Sequence, residues 1–202
     1  MNLEYSHPFF KVADFFLTRL YKNPSLKIEF ELSRYVYIPN SLNDERHTFK
    51  IQLIDFNKEY IIKEIESLKE NEELAFHSKI LMNDRTYHIG LIDFLIPTTQ
   101  FCFEHDYIRL KAILPSKIMQ NLSLYSSGNS LHGYSLTLLE PKEWRQFMSR
   151  LLLIDLPLSP TPLIDTRWIG HRLFSEFGSL RWSNNSGTYK ALPELITNKY
   201  SQ

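Results

Sequence analysis

Ser126-Ser127-Gly128-Asn129-Ser130-Leu131-His132-Gly133-Tyr134 is the stretch on which the reading of this chain turns. Leu122 to Ser126 reads as a short strand, and Leu131 to Leu139 reads as its partner. Between them, Ser127 to Ser130 makes a tight Ser/Gly turn that presents a histidine. Two apolar runs elsewhere end in a carboxylate. One is His88-Ile89-Gly90-Leu91-Ile92-Asp93-Phe94, and the other is Leu163-Ile164-Asp165-Thr166-Arg167-Trp168. A turn rich in hydroxyls and backbone N–H groups suits phosphate oxygens. Mg2+ is commonly held by one or two carboxylates together with substrate phosphates. The three segments are therefore expected to converge on one metal and phosphate site.

Outward from these segments the chain mixes strands and helices. Apolar residues at 9, 12, 13, 16, 17 and 20 predict a helix over 9–21, stopped by Asn23-Pro24. Residues 26–38 read as one or two strands, with Leu26, Ile28, Phe30 and Leu32 on one face, and 48–56 alternates in the same way after a polar loop at 39–47. The stripe Ile61, Ile62, Ile65 and Leu68 predicts an amphipathic helix over 57–74, with the charged run 69–73 as its solvated end. Residues 75–82 and 86–95 read as strands joined by a hairpin at Asn83-Asp84-Arg85. The second of these is apolar enough to be central in a sheet. A helix over 104–119 is kinked or ended by Pro115, and Pro141 opens another that runs to about Ile154. Residues 156–162, with three prolines, form a rigid connection. A helix is expected over 166–177, with Gly178 as its stop, followed by a strand at 180–183 and a turn at 184–187. Several hairpins among helices predict an α+β fold, a mixed or antiparallel sheet with helices packed on it. We expect a single domain over 1–202, with an N-terminal α/β part (1–74), a motif-bearing core (75–190) and a weakly structured tail (191–202).

Composition narrows the function classes. The chain has 202 residues and equal numbers of basic and acidic side chains, 23 each, so overall charge gives no argument for nucleic-acid binding. The single cysteine, Cys102, excludes an internal disulfide and any cysteine-based zinc cluster. Cys102 and His105 lie close in sequence, but no two further zinc ligands accompany them. No apolar run is long enough to span a membrane, and the residues ahead of Phe9 do not read as a signal peptide, so the cytoplasm is the expected location.

In order along the chain, strand–Asp93, helix, strand–Ser130-Leu131-His132, helix and Ile164-Asp165 resemble the archaeo-eukaryotic primase superfamily, the primase-polymerases. The catalytic core of that group carries a DxD or DxE motif, an SxH motif and an hD motif. Here Asp93-Phe94-Leu95, Ser130-Leu131-His132 and Ile164-Asp165 stand in those positions. The flanking strings Glu143-Trp144, His171-Arg172-Leu173 and Leu180-Arg181-Trp182-Ser183 are similar to bacterial members, and the resemblance runs from about Ala75 to Trp182. It implies an RRM-like sheet and a nucleotidyltransferase that binds a nucleoside triphosphate for primer synthesis or extension. Asp93 and Asp165 would hold Mg2+ or Mn2+ and, with His132, form the catalytic set. Ser127, Gly128, Ser130 and His132 would bind the nucleotide, and Arg181 and Trp182 would contact nucleic acid. The implied partner is a DNA or RNA primer-template, with room for a helicase or another replication or defence protein.

One position departs from the pattern. The second carboxylate of the first motif is replaced by Leu95, which cannot ligate a cation. Glu104 or Asp106 could substitute from the next segment. The departure leaves an alternative: a catalytically degenerate primase-like protein acting as a nucleic-acid-binding or protein-interaction subunit. Simpler roles stand beside the functional ones. Asp165 suits a helix N-cap, and His171 beside Trp168 suits packing. Ser127, His132 and Asp165 also invite a hydrolytic triad, but no Gly-x-Ser-x-Gly elbow is present.

Overall fold

The computed structural model describes residues 3–157, 160–189 and 191–196. The elements in chain order are α1 (Pro8–Lys22), β1 (Ile28–Val36), β2 (Arg46–Gln52), α2 (Lys58–Glu66), β3 (Glu72–Met82) and β4 (Arg85–Asp93). They continue with α3 (Phe103–Ile113), α4 (Ser116–Gln120), β5 (Leu122–Ser126), β6 (Leu131–Leu139) and α5 (Pro141–Leu151). Last come α6 (Thr166–Ser175), β7 (Ser179–Arg181) and β8 (Glu194–Leu195). The expected tail begins with β8, and its residues 197–202 lie outside the described ones.

Local chemistry accounts for the boundaries. Pro8 opens α1 after His7, whose Nδ1 accepts the Phe9 N–H at 3.2 Å. Asn57 caps α2 by accepting the Tyr60 N–H. Pro115 ends one helix and caps the next, so 104–119 is two helices. Glu140 and Glu143 form a capping box ahead of α5. Asn83 and Asp84, both at positive φ, make the tight turn between β3 and β4.

The eight strands form one antiparallel sheet in the order β2-β1-β3-β4-β6-β5-β8, with β7 paired to β3 off this path. The expected α+β sheet with packed helices is therefore what forms, and β4 is central and buried. β3 pairs with β4 through 79–82 and with β7 through 75–77, so β7 fills a split between β3 and the end of β4. One hydrophobic cluster lies under α1 and α2 and is rich in rings: Phe9, Phe16, Phe30, Phe56, Phe76 and Trp182. A second joins Ile92, Phe94, Leu110, Trp144, Phe147 and Ile164.

Three boundaries differ from the sequence expectation. α2 stops at Glu66 rather than running to 74, because Leu74 and Phe76 are buried on β3 as core strand residues. The charged run holds a turn with Asn71 at φ 63°, and Glu73 is buried and accepts the Asn185 and Ser186 N–H groups. β2 ends at Gln52, and Asp55 and Phe56 already belong to turns. α6 ends at Ser175 and is capped by Glu176, which takes the left-handed conformation, while the Gly178 N–H donates to Ser78 Oγ.

Candidate functional site

Strand ends bring the predicted residues together. The β5–β6 hairpin puts Ser126 opposite Leu131, and β4 runs antiparallel to β6 with Asp93 opposite His132. The chain then returns beside β4. Phe94 and Ile164 form a bridge, the Leu95 N–H donates to the Leu163 carbonyl at 3.0 Å, and the Asp165 N–H donates to the Asp93 carbonyl at 3.1 Å. Leu163 and Ile164 are tied in by Asp155, whose carboxylate accepts both of their N–H groups. Asp93, His132 and Asp165, from three distant segments, thus share one cleft of about 500 Å3. Ser127, Asn129 and Ser130 form part of its wall.

The polar atoms of this cluster are incompletely partnered. His132 Nε2 stands 3.7 Å from Asp93 Oδ1, longer than a hydrogen bond. Its Nδ1 is buried and has no hydrogen-bond partner among the described residues. Burial pushes the His132 imidazole well below its ordinary range, so the ring is neutral. Burial, followed by the nearby Asp165 carboxylate, pushes the Asp93 carboxyl up to about 8, against an opposing pull from Arg181. Near neutral pH the pair therefore carries little charge, and the short approach is no ion pair. Asp93 is nevertheless open to the cleft, with a quarter of its side chain (25%) exposed. Asp165 Oδ1 accepts the Trp168 N–H at 2.9 Å and caps α6, so the capping role holds, and the other oxygen accepts no hydrogen bond among the described residues.

The turn that precedes His132 is compact. The Ser127 N–H donates to the Ser130 carbonyl at 2.9 Å, and the two hydroxyls lie 3.2 Å apart. Gly128 sits at φ 101°, a conformation that L side chains rarely adopt, and lies in the turn but off the cleft wall. Thr98 braces the turn by donating from its N–H to Asn129 and from its hydroxyl to Ser130.

Two expectations need correction. Trp182 is fully buried, stacks on Phe76 at 4.4 Å and donates from its indole N–H to Tyr134, so it has no face for a nucleobase. Arg181 is also buried, and its hydrogen bonds among the described residues go to the Ser127, Ser183 and Ala191 carbonyls. It lies on the cleft wall over the Tyr189 ring, but as a brace for the Ser/Gly turn rather than an exposed grip for a strand. Neither Glu104 nor Asp106 lines the cleft; Asp106 is buried, accepts the Cys102 N–H and pairs with Arg109. Leu95, half exposed, does line it. The position of the missing carboxylate thus faces the site.

Other cleft residues were not singled out by their sequence. Tyr35, Asp44, Arg167, Arg172 and Tyr189 all line it, and so does His171, expected only to pack. Arg172 had a legible signal: seven residues after Asp165, it sits two turns along the same helical face. Asp44 had none, being one carboxylate in a polar loop.

Among the described residues no group of three or more His, Cys, Asp or Glu could hold a metal ion. The donor set that does exist, Asp93 and Asp165 with hydroxyls beside them, fits a hard cation that takes its remaining ligands from phosphate and water. No helix among the described residues is long and apolar enough to cross a membrane.

A family model described as archaeo-eukaryotic primase 1D-like matches residues 52–194, which include every strand from β3 to β7 and both carboxylates. No curated protein and no solved structure shows a significant match.

Proposed function

The chain belongs to the archaeo-eukaryotic primase 1D-like family, and from that premise we propose that its cleft binds a nucleoside triphosphate with Mg2+ or Mn2+ and serves nucleotidyl transfer to a DNA or RNA primer. The observation that carries this reading is the convergence of Asp93, His132 and Asp165 beside the Ser127–Ser130 turn. Asp93 and Asp165 would hold the cation, and the chemistry it would supply there is neutralisation of phosphate charge and activation of a hydroxyl. Asp93 would be held as the carboxylate beside it, since a nearby cation favours the charged form. The neutral His132 ring offers an N–H to a phosphate oxygen, and the Ser127 and Ser130 hydroxyls offer two more donors. Arg181 keeps the turn in position through the Ser127 carbonyl and contributes positive charge at the cleft wall. A cytoplasmic location belongs to the same reading.

Leu95 favours a second reading, in which the cleft binds nucleotide without turnover and the protein acts as a nucleic-acid-binding or interaction subunit. The test is Mn2+-dependent nucleotide incorporation on a primed template by wild type and by Asp165→Ala. Incorporation by wild type alone supports the enzyme. Equal incorporation by both ends the enzyme reading, and nucleotide binding without incorporation by wild type supports the subunit.

A further inference from the structure

The loop between β1 and β2, residues 37–45, closes one side of the cleft, and polar contacts hold it to α6. Arg172 reaches across from α6, and its Nη2 donates to Asp44 Oδ2. Arg167, on the same helix, donates from Nη2 to the Ser41 carbonyl. Apolar packing adds little: Ile38 and Leu42 are 63% and 85% exposed.

The Arg172 site is built for more anion than Asp44 supplies. Arg172 is 1% exposed, its Nη1 donates to Ser179 Oγ at 2.7 Å, and its Nε is buried with no hydrogen-bond partner among the described residues. A guanidinium presents Nε and Nη2 as a fork that matches two oxygens of a phosphate. Here it meets a single oxygen, and that oxygen is shared with Arg46, whose Nε donates to it at 2.8 Å. Burial has pushed the Arg172 guanidinium down to about 10, so the charge is held at a cost that a stronger anion would relieve. Asp44, Arg167 and Arg172 line the same cleft as Asp93, Asp165 and Ser130.

We propose that Asp44 is a resident anion standing in for a substrate phosphate at Arg172, so that a triphosphate entering the cleft displaces it and releases the 37–45 loop from α6. The proposal rests on the nucleotide reading above. A polyphosphate outcompetes one carboxylate because it fills both arms of the fork and brings more charge. The exchange couples occupancy of the cleft to opening of its rim, which is where a primer-template would enter.

The test titrates inorganic tripolyphosphate and ATP into wild type, Asp44→Asn and Asp44→Glu by calorimetry, with hydrogen exchange read over residues 37–45. Asp44→Asn is expected to bind tripolyphosphate about tenfold more tightly than wild type. Its loop should exchange fast already in the free protein, whereas the wild-type loop should speed up only when tripolyphosphate is added. Asp44→Glu should behave as wild type. A folded Asp44→Asn with unchanged or weaker binding overturns the latch, as does wild-type loop exchange that slows or stays constant on binding. The wild-type exchange measurement decides the matter even if Asp44→Asn does not fold. Asp165-dependent ATP binding by wild type with no change in Asp44→Asn removes the latch alone. No binding to any variant removes both the latch and the nucleotide reading.

Discussion

Two buried histidines in this molecule each sit beside a carboxylate, and they differ in how completely their neighbours use them. At His77 every polar atom has a partner. Nδ1 lies 2.8 Å from Glu31 Oε1, Nε2 lies 2.8 Å from Ser33 Oγ, and Ser33 in turn accepts from Arg46. The hydrogen bond from His77 keeps the Glu31 carboxyl below its ordinary range, and burial lowers His77 despite Glu31. A neutral ring beside an ionised Glu31 must carry its proton on Nδ1, so Nε2 accepts the Ser33 hydroxyl. Phe177 stacks on the ring at 4.1 Å and closes the cluster. At His132 the carboxylate is out of hydrogen-bond reach, Nδ1 has no hydrogen-bond partner among the described residues, and Asp93 faces a second carboxylate. The first arrangement is finished by the protein and is structural. The second is left unfinished by the described residues, and this supports the binding site proposed there.

Acid sharpens the difference first, because the completed networks depend on neutral rings. Burial holds His7 and His88 at about 4, below the unfolded 6.5, so the unfolded chain takes up their protons first as pH falls. Their contribution is complete above 6.5 and is lost between 6.5 and 4, by up to about 3 kcal/mol each. Urea unfolding at pH 7.5 and 4.5 should display that fall; a flat profile would contradict it. Next in size, His77→Ala should destabilise the fold by about 3 kcal/mol through the unpaired Glu31 and Ser33, yet leave nucleotide affinity within about twofold. A large loss of nucleotide affinity in that variant would erase the distinction between the two clusters. Leu95→Asp adds a carboxylate to the cleft and should tighten Mn2+ binding by roughly tenfold, read by calorimetry with the free ion. An unchanged affinity would mean that position 95 does not face the cation. The last effect has the least obvious sign. Asp93 has its carboxyl raised from 3.8 to about 8, so ionising it costs stability as pH rises through that interval. Asp93→Asn should therefore raise Tm at pH 8 by several degrees while weakening metal binding. A lower Tm would show that the carboxylate is structural.

Much of the fold was legible because its signals are local. The alternation at Ile28, Phe30 and Leu32, the Asn83-Asp84 turn and the prolines at 8, 115 and 141 each settle their own element within a few residues. The end of α2 was not legible, since the Ile61 to Leu68 stripe continues into a charged run and only strand pairing by Leu74 and Phe76 stops it. The three motif residues were legible from their order and their place at the ends of apolar runs. Arg181 and Trp182 were not, because one step along a strand reverses the face. Trp182 goes to the ring cluster beneath α1, and Arg181 goes to the cleft. The contact between Asp44 and Arg172 joins positions 128 residues apart, with no pattern in either segment to announce it.

If the unfinished cluster at His132 is the ligand site, ATP binding must depend on both Asp165 and the cation. ATP is titrated into wild type and Asp165→Asn with and without Mn2+, and heat of binding is measured. Asparagine keeps the cap on α6, so the fold is preserved while the carboxylate is lost. The account predicts Mn2+-dependent ATP binding by wild type, weakened by about a hundredfold or more in Asp165→Asn. Equal binding by the two proteins, or binding indifferent to Mn2+, would contradict it.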